Sequence, residues 1–235
     1  MIKHIPVDKL HRAQPAHWLD TIYHFSFANY YNPNNMNFGA LRVLNDDLIS
    51  AHSGFSTHPH NDMEIISYVV DGALTHQDSL GNKGVIKRGE VQYMSAGSGI
   101  YHSEFNEGDE TVRLFQIWFP PDSKNLTPNY GDYKYEWSGR QNKLLHLVSP
   151  WEGNANVKLH QDINMYATEL EADKSLELPI SKGRQCYVVQ IEGISKINGK
   201  TLNQRDALEA YEEDLKINAI EKSHLLFIEM KLDQN

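Results

Sequence analysis

Cysteine is almost missing from this chain: Cys186 is the only one in 235 residues. No disulfide can form within the chain, so it is no disulfide scaffold, and a reducing cytoplasm is the expected setting. Long apolar runs are missing as well. The longest, from Leu225 to Ile228, has four residues, whereas a membrane-crossing helix needs about 20. The opening segment, MIKHIPVDKLHRAQ, has no apolar core of the kind that marks a secretion signal. Positive charge is in short supply. Lys and Arg number 22 against 31 Asp and Glu, giving a net charge of −9 with neutral histidines. No basic block stands out, so neither nucleic acid nor an anionic membrane is an expected partner.

Helix signals are scarce too. The stretch from Ala16 to Tyr23 has room for a short turn. The stretch from Gln204 to Asp214 has helix-forming residues but poor apolar spacing. Strand signals are frequent. Tyr23, Phe25 and Phe27 alternate with His24 and Ser26, and Val91, Tyr93 and Ser95 alternate with Gln92 and Met94. The segment from Glu64 to Val70 is rich in β-branched residues, and VRLFQIWF (112–119) is apolar on both faces, as a strand buried on both sides would be. Gly and Asn-Gly turns punctuate the chain at Gly72, Gly81, Gly89, Gly193 and Gly199. Short strands between turns predict an all-β sandwich or barrel. Pro120-Pro121 and Pro128 mark a break with strands on both sides, which predicts two β units of similar size: residues 1–125 and 126–235.

Histidine is the residue in excess, with 12 in an acidic chain. Two pairs stand out. His58 and His60 flank Pro59, and His102 and Glu104 flank Ser103. Side chains two apart on a strand share a face, so each pair can present two donors in one direction. If the two strands lie close together, three imidazoles and a carboxylate meet at one point. Imidazole suits mid-row divalent metals, and carboxylate hardens the set. Glu64, four residues beyond His60, competes with Glu104 as the carboxylate, with orientation of a histidine by hydrogen bonding as its favoured role. His76, in THQDS, reads as a turn or surface residue. His4, His11, His17, His24, His52, His146, His160 and His224 lack paired spacing and read as structural or exposed. Gly97 and Gly99 read as allowing backbone to approach backbone just before His102; no Lys-Ser/Thr follows them, so they are not a phosphate loop.

Residues 54–104, with HPH, the HQDS-x-GN-x-G turn and AG-x-GI-x-HSE, resemble the signature region of the pirin family, a branch of the cupin superfamily. The resemblance extends more weakly along the rest of the chain. It implies a bicupin, two jelly-roll-like β-barrels packed together with few short helices. The N-terminal barrel would carry a metal on His58, His60, His102 and Glu104. The C-terminal barrel, with no HxH or HSE, would carry none. The metal implied is iron first, with Zn, Co, Ni, Mn and Cu compatible. The activity implied is that of a quercetin 2,3-dioxygenase, taking a flavonol and O2 and opening the ring with release of carbon monoxide, with Glu104 as the base that accepts the substrate's proton. Phe55, Tyr68 and Met94 are candidates to line the pocket. The family also includes iron-dependent regulators that act through a protein partner, the alternative role. A monomer is expected.

Overall fold

A computed structural model of the chain describes residues 1–232. Its first half contains twelve strands: β1 Ile2–Ile5, β2 His11–Ala16, β3 Leu19–Tyr23, β4 Val43–Ile49, β5 Ser53–His60, β6 Glu64–Asp71, β7 Ala73–Asp78, β8 Lys83–Lys87, β9 Val91–Ser95, β10 Ile100–Asn106, β11 Val112–Phe119 and β12 Asn129–Tyr133. Ten more strands lie between Leu145 and Lys231. Helix among the described residues is limited to two 3-10 turns, Val7–Lys9 and Trp137–Arg140. The segment from Gln204 to Asp214 forms a strand over Ala207–Tyr211. The alternation read from Tyr23 to Phe27 stops at Tyr23, because the chain leaves the sheet into a loop where Ala28 adopts a positive φ of 48°.

Each half is a seven-stranded sheet facing a four-stranded one. In the first half the large sheet runs β12-β9-β6-β11-β4-β3-β2 and the small one β5-β10-β7-β8. β1 crosses over and pairs antiparallel with Ala207–Tyr211 at the edge of the second half's large sheet. β12, which follows the Pro-rich break, pairs with β9 in the first. The two large sheets pack against each other. Ile66, Phe115 and Phe119 from one share a single core with Met165, Leu226 and Ile228 from the other. This explains why β11 is apolar on both sides. Phe115, Ile117 and Phe119 face the second half, while Leu114 faces the interior of its own barrel. Burying a side chain of this size contributes roughly 1.5–3 kcal/mol.

A polar tie runs through the junction between the halves. The buried Arg140 donates to the hydroxyl of Tyr68 and to the carbonyl of Gly89 (2.6 Å). Tyr68 in turn donates to Nε2 of His224 (2.8 Å), whose Nδ1 lies 3.3 Å from Glu192. His24, also buried, bonds to the hydroxyl of Tyr187 across the same junction (3.0 Å).

The two barrel interiors differ. In the second half, one continuous apolar cluster, mostly Leu and Ile, fills the space. In the first, the apolar packing is split. Leu19, Leu74 and Leu114 belong to one cluster, Ile65, Met94 and Ile100 to another. Between them a polar row crosses five strands in register: Tyr23 opposite Asn45, Asn45 opposite Gln116, Gln116 opposite Ser67, and Ser67 opposite Gln92. Nonpolar packing is given up along that row, and the site is built on it.

Candidate metal centre

The small sheet supplies the donors. β5 and β10 are antiparallel neighbours with His102 directly opposite His58. The register then shifts, so that Glu104 sits opposite Phe55. Such a bulge bends a strand and re-aims its side chains. Gly54 permits this geometry, because a Cβ there would lie 2.3 Å from the carbonyl oxygen of Glu104. Gly97 permits another close approach, with a Cβ that would lie 2.0 Å from the carbonyl oxygen of Leu126, as expected from its place before His102.

One donor atom from each of His58, His60 and His102 falls within 4.8 Å of the others. Nε2 of His58 lies 3.1 Å from Nε2 of His102. Nδ1 of His58 faces the carbonyl of Ser56 (2.8 Å) and donates to it, which leaves Nε2 with its lone pair. The ring of His60 stands edge-on to Trp118, with centroids 4.9 Å apart. Its Nε2 is buried and has no hydrogen-bond partner. Burial, with the other imidazoles adding to it, pushes His60 down to about 4 and His102 down to about 3. Neutral, lone-pair-bearing imidazoles crowded together suit a metal ion.

Glu104 is held by the polar row. Its Oε1 accepts from Ser67 (2.7 Å) and Gln92 (3.2 Å), and its Oε2 accepts from Gln116. The amide of Gln116 is oriented by Trp118, whose indole N–H donates to Gln116 Oε1 (3.2 Å). Both in-plane lone pairs of Oε1 are therefore used, and Oε2 keeps one. Glu104 also forms a second donor group with His76 and His102, all buried and with donor atoms within 4.8 Å.

Three expectations are corrected here. His76 is fully buried rather than in a turn or at the surface. β7 places it opposite Glu104, and Tyr130 stacks on it at 4.3 Å. Its ring bridges Gln92 (3.1 Å) and Asp78 (3.2 Å). Burial opposes ionised Asp78, but hydrogen bonds from Asn82, His76 and Leu80 outweigh it and hold the carboxyl below its ordinary value. Glu64 neither joins the histidines nor orients one by its ring. β5 ends at His60 and a turn precedes β6, so the spacing of four carries no shared face. The Glu64 carboxylate accepts instead from Ser95 (2.6 Å) and from the backbone N–H of His160 (3.3 Å) in the second half. Of the pocket candidates, only Phe55 lines the cavity beside the donors. Tyr68 is on the opposite face of β6, in the junction between halves, and Met94 packs in the apolar cluster with Ile65 and Ile100.

That cavity is about 510 Å³, with His58, His102 and Glu104 in its wall. Its sides are aromatic. Trp18 meets Phe55 edge-on at 5.2 Å, and Phe27 meets Trp118 edge-on at 5.4 Å. Asn45 and Asp47 complete the wall. Burial pushes Asp47 up to about 7, opposed by hydrogen bonding from the Thr21 hydroxyl and assisted by the carboxyls of Asp46 and Glu104. Sequence reasoning missed Asn45, Asp47, Gln92 and Gln116. Their signal was polar residues at inward positions of otherwise apolar strands. The donor set and the orphaned Nε2 of His60 fit a single divalent transition-metal ion.

The fold and the site together define a two-barrel cupin protein with one histidine-rich centre. The sequence pattern described as Pirin matches residues 7–119, and that described as quercetinase C-terminal cupin domain matches residues 146–230. A pirin-like protein of Caulobacter vibrioides is 44% identical over 97% of this chain and 99% of its own. A quercetin 2,3-dioxygenase of Escherichia coli K12 is 42% identical over 91% of this chain and 92% of its own. The crystal structure of the bacterial pirin YhhW from Escherichia coli in complex with nickel(II) superposes with a TM-score of 0.92 at 39% identity, covering 99% of this chain and 100% of that one. The chain belongs to the pirin family.

Proposed function

We propose that this protein is a metal-dependent dioxygenase acting on flavonols of the quercetin type. In this reading His58, His60, His102 and Glu104 hold one divalent transition-metal ion, iron before the alternatives. The N-terminal unit, expected over residues 1–125, carries the chemistry, and the C-terminal unit, 126–235, serves as its packed support. The observation that carries the reading is the convergence of three imidazoles, two of which, His58 and His102, stand in the wall of an aromatic-sided cavity. The names of the Escherichia coli dioxygenase and of the nickel-bound pirin support it.

When bound, the ion supplies Lewis acidity that favours a deprotonated substrate hydroxyl, together with reactivity toward O2. The chain supplies the rest. Trp18, Phe55 and Trp118 offer flat apolar surfaces that hold an aromatic ring and exclude water. Glu104 accepts the hydroxyl proton at Oε2 in exchange for its hold on the ion, because one lone pair is left there for the two roles. Gln116, fixed by Trp118, keeps that oxygen in place. The reading sets this activity in a single chain in a reducing cytoplasm, in keeping with one buried cysteine.

The test is oxygen uptake with quercetin by purified, iron-loaded protein, beside His102→Ala. Uptake that disappears in the variant supports the reading. No uptake with quercetin or any other flavonol, together with capture of a protein partner that depends on the oxidation state of the iron, overturns it in favour of a regulator.

A further inference from the structure

Asp46 and Asp47 are neighbours on β4 with opposite fates. Asp46 faces the second half and is bound by two guanidiniums, Arg113 (2.8 Å) and Arg205 (3.2 Å). Asp47 faces into the barrel, buried, in the wall of the cavity that carries His58 and His102. Asn45, two residues away on the same face, also lines the cavity. It is 4% exposed, and its side-chain oxygen has no hydrogen-bond partner.

A buried carboxyl and a buried amide oxygen are costly to leave unmatched. Of the nearby donors, Gln116 is engaged by Ser67 and Glu104 and Trp118 by Gln116, while the buried Thr21 hydroxyl, opposite Asp47 on β3, is open to that carboxyl. One hydroxyl does not match the Asn45 oxygen and both oxygens of the Asp47 carboxyl, so the wall at β4 has more acceptors than donors, while the sides are aromatic. A ligand that satisfies it brings hydroxyl groups of its own on a flat ring.

We propose that Asp47 and Asn45 form a hydroxyl-recognising wall that selects polyhydroxylated aromatic substrates over analogues lacking those hydroxyls. The inference rests on the reading of the cavity as an aromatic-substrate site and names which members of that class it takes. A site built to bond a substrate hydroxyl discriminates strongly against the analogue without it, because its own polar groups are then left unpaired. Asp47 and Asn45 act here in binding and orientation, apart from the proton transfer assigned to Glu104.

The test is equilibrium binding to metal-loaded protein, followed by quenching of tryptophan fluorescence. The probes are quercetin and 3-hydroxyflavone, which share the 3-hydroxyl and its neighbouring carbonyl and differ in their remaining hydroxyls. The wild type is expected to prefer quercetin by about tenfold or more. That ratio should fall toward one in Asp47→Leu and in Asn45→Leu. Asp47→Asn, the smaller change, should give an intermediate ratio and covers the case in which a leucine variant fails to fold. A wild-type ratio near one, or a ratio unchanged in every folded variant, overturns the inference. If neither flavonol binds, the flavonol reading fails by itself. The same comparison with catechol against phenol then decides the hydroxyl preference: a preference for catechol that is lost on changing Asp47 supports it, and equal binding sinks it.

Discussion

The Gln116 amide donates to Oε2 of Glu104 while its own oxygen accepts from the Trp118 indole 3.2 Å away. The carboxylate is therefore aimed by a residue that never needs to touch an ion. Residues that orient ligands in this way typically govern metal affinity by about 10–100-fold. Gln116→Leu should weaken metal binding by a factor in that range while leaving the thermal unfolding of metal-free protein cooperative. Competition against a chelator of known affinity measures it. Unchanged affinity would mean that Glu104 is held by Ser67 and Gln92 alone.

Glu64 and Glu104 should respond oppositely to the same substitution. Glu64→Gln leaves the histidine cluster untouched, since its contacts are Ser95 and the backbone of His160. Metal stoichiometry should stay at the wild-type value. Glu104→Gln should lower metal retention by tenfold or more, because a neutral amide replaces an anionic donor. Elemental analysis after dialysis separates the two, and depletion in Glu64→Gln would contradict the site as built.

Tyr68 joins Arg140 to His224 within the junction. Tyr68→Phe removes the shared hydroxyl and leaves two buried polar partners short of a bond, at a cost of about 1–3 kcal/mol. Denaturant unfolding should show that loss, with metal content unaltered, since the residue lies on the face of β6 away from the cavity.

Burial pushes the His24 imidazole down to about 4, with Asp46 opposing the shift. In the unfolded chain the same group titrates near its ordinary value of about 6.5. Between these values the unfolded state holds more protons, so His24 contributes stability that is present above pH ~6.5 and is lost as pH falls toward 4. At about 1.36 kcal/mol per pH unit, the loss approaches 3 kcal/mol. His24→Gln should lack this part of the decline, so unfolding of both proteins across pH 4–7 should give a shallower slope for the variant. Parallel slopes would contradict it.

Much of this site was legible in the sequence because a strand repeats every two residues. HPH and HSE each announce two donors on one face, and VRLFQIWF announces a strand with cores on both sides. What stayed hidden depended on partners far along the chain. His76 is buried by Tyr130, which arrives from beyond the Pro-rich break. The face of Glu64 was misread because a turn containing Asp62, at a positive φ of 46°, separates it from His60 and resets the alternation. Asp46 and Asp47 look like a solvated acidic pair, yet each faces a different interior. Asn45, Gln116, Ser67 and Gln92 become a row only once four strands are in register.

The central claim is that one ion sits among His58, His60, His102 and Glu104. Elemental analysis of tag-free protein, purified without a chelating column, tests it most directly. The account predicts close to one transition-metal ion per chain, falling to near zero in His102→Ala with the fold retained. A wild-type protein that takes up no metal on incubation with Fe(II) or Ni(II), or a His102→Ala variant that keeps the full amount, would contradict it.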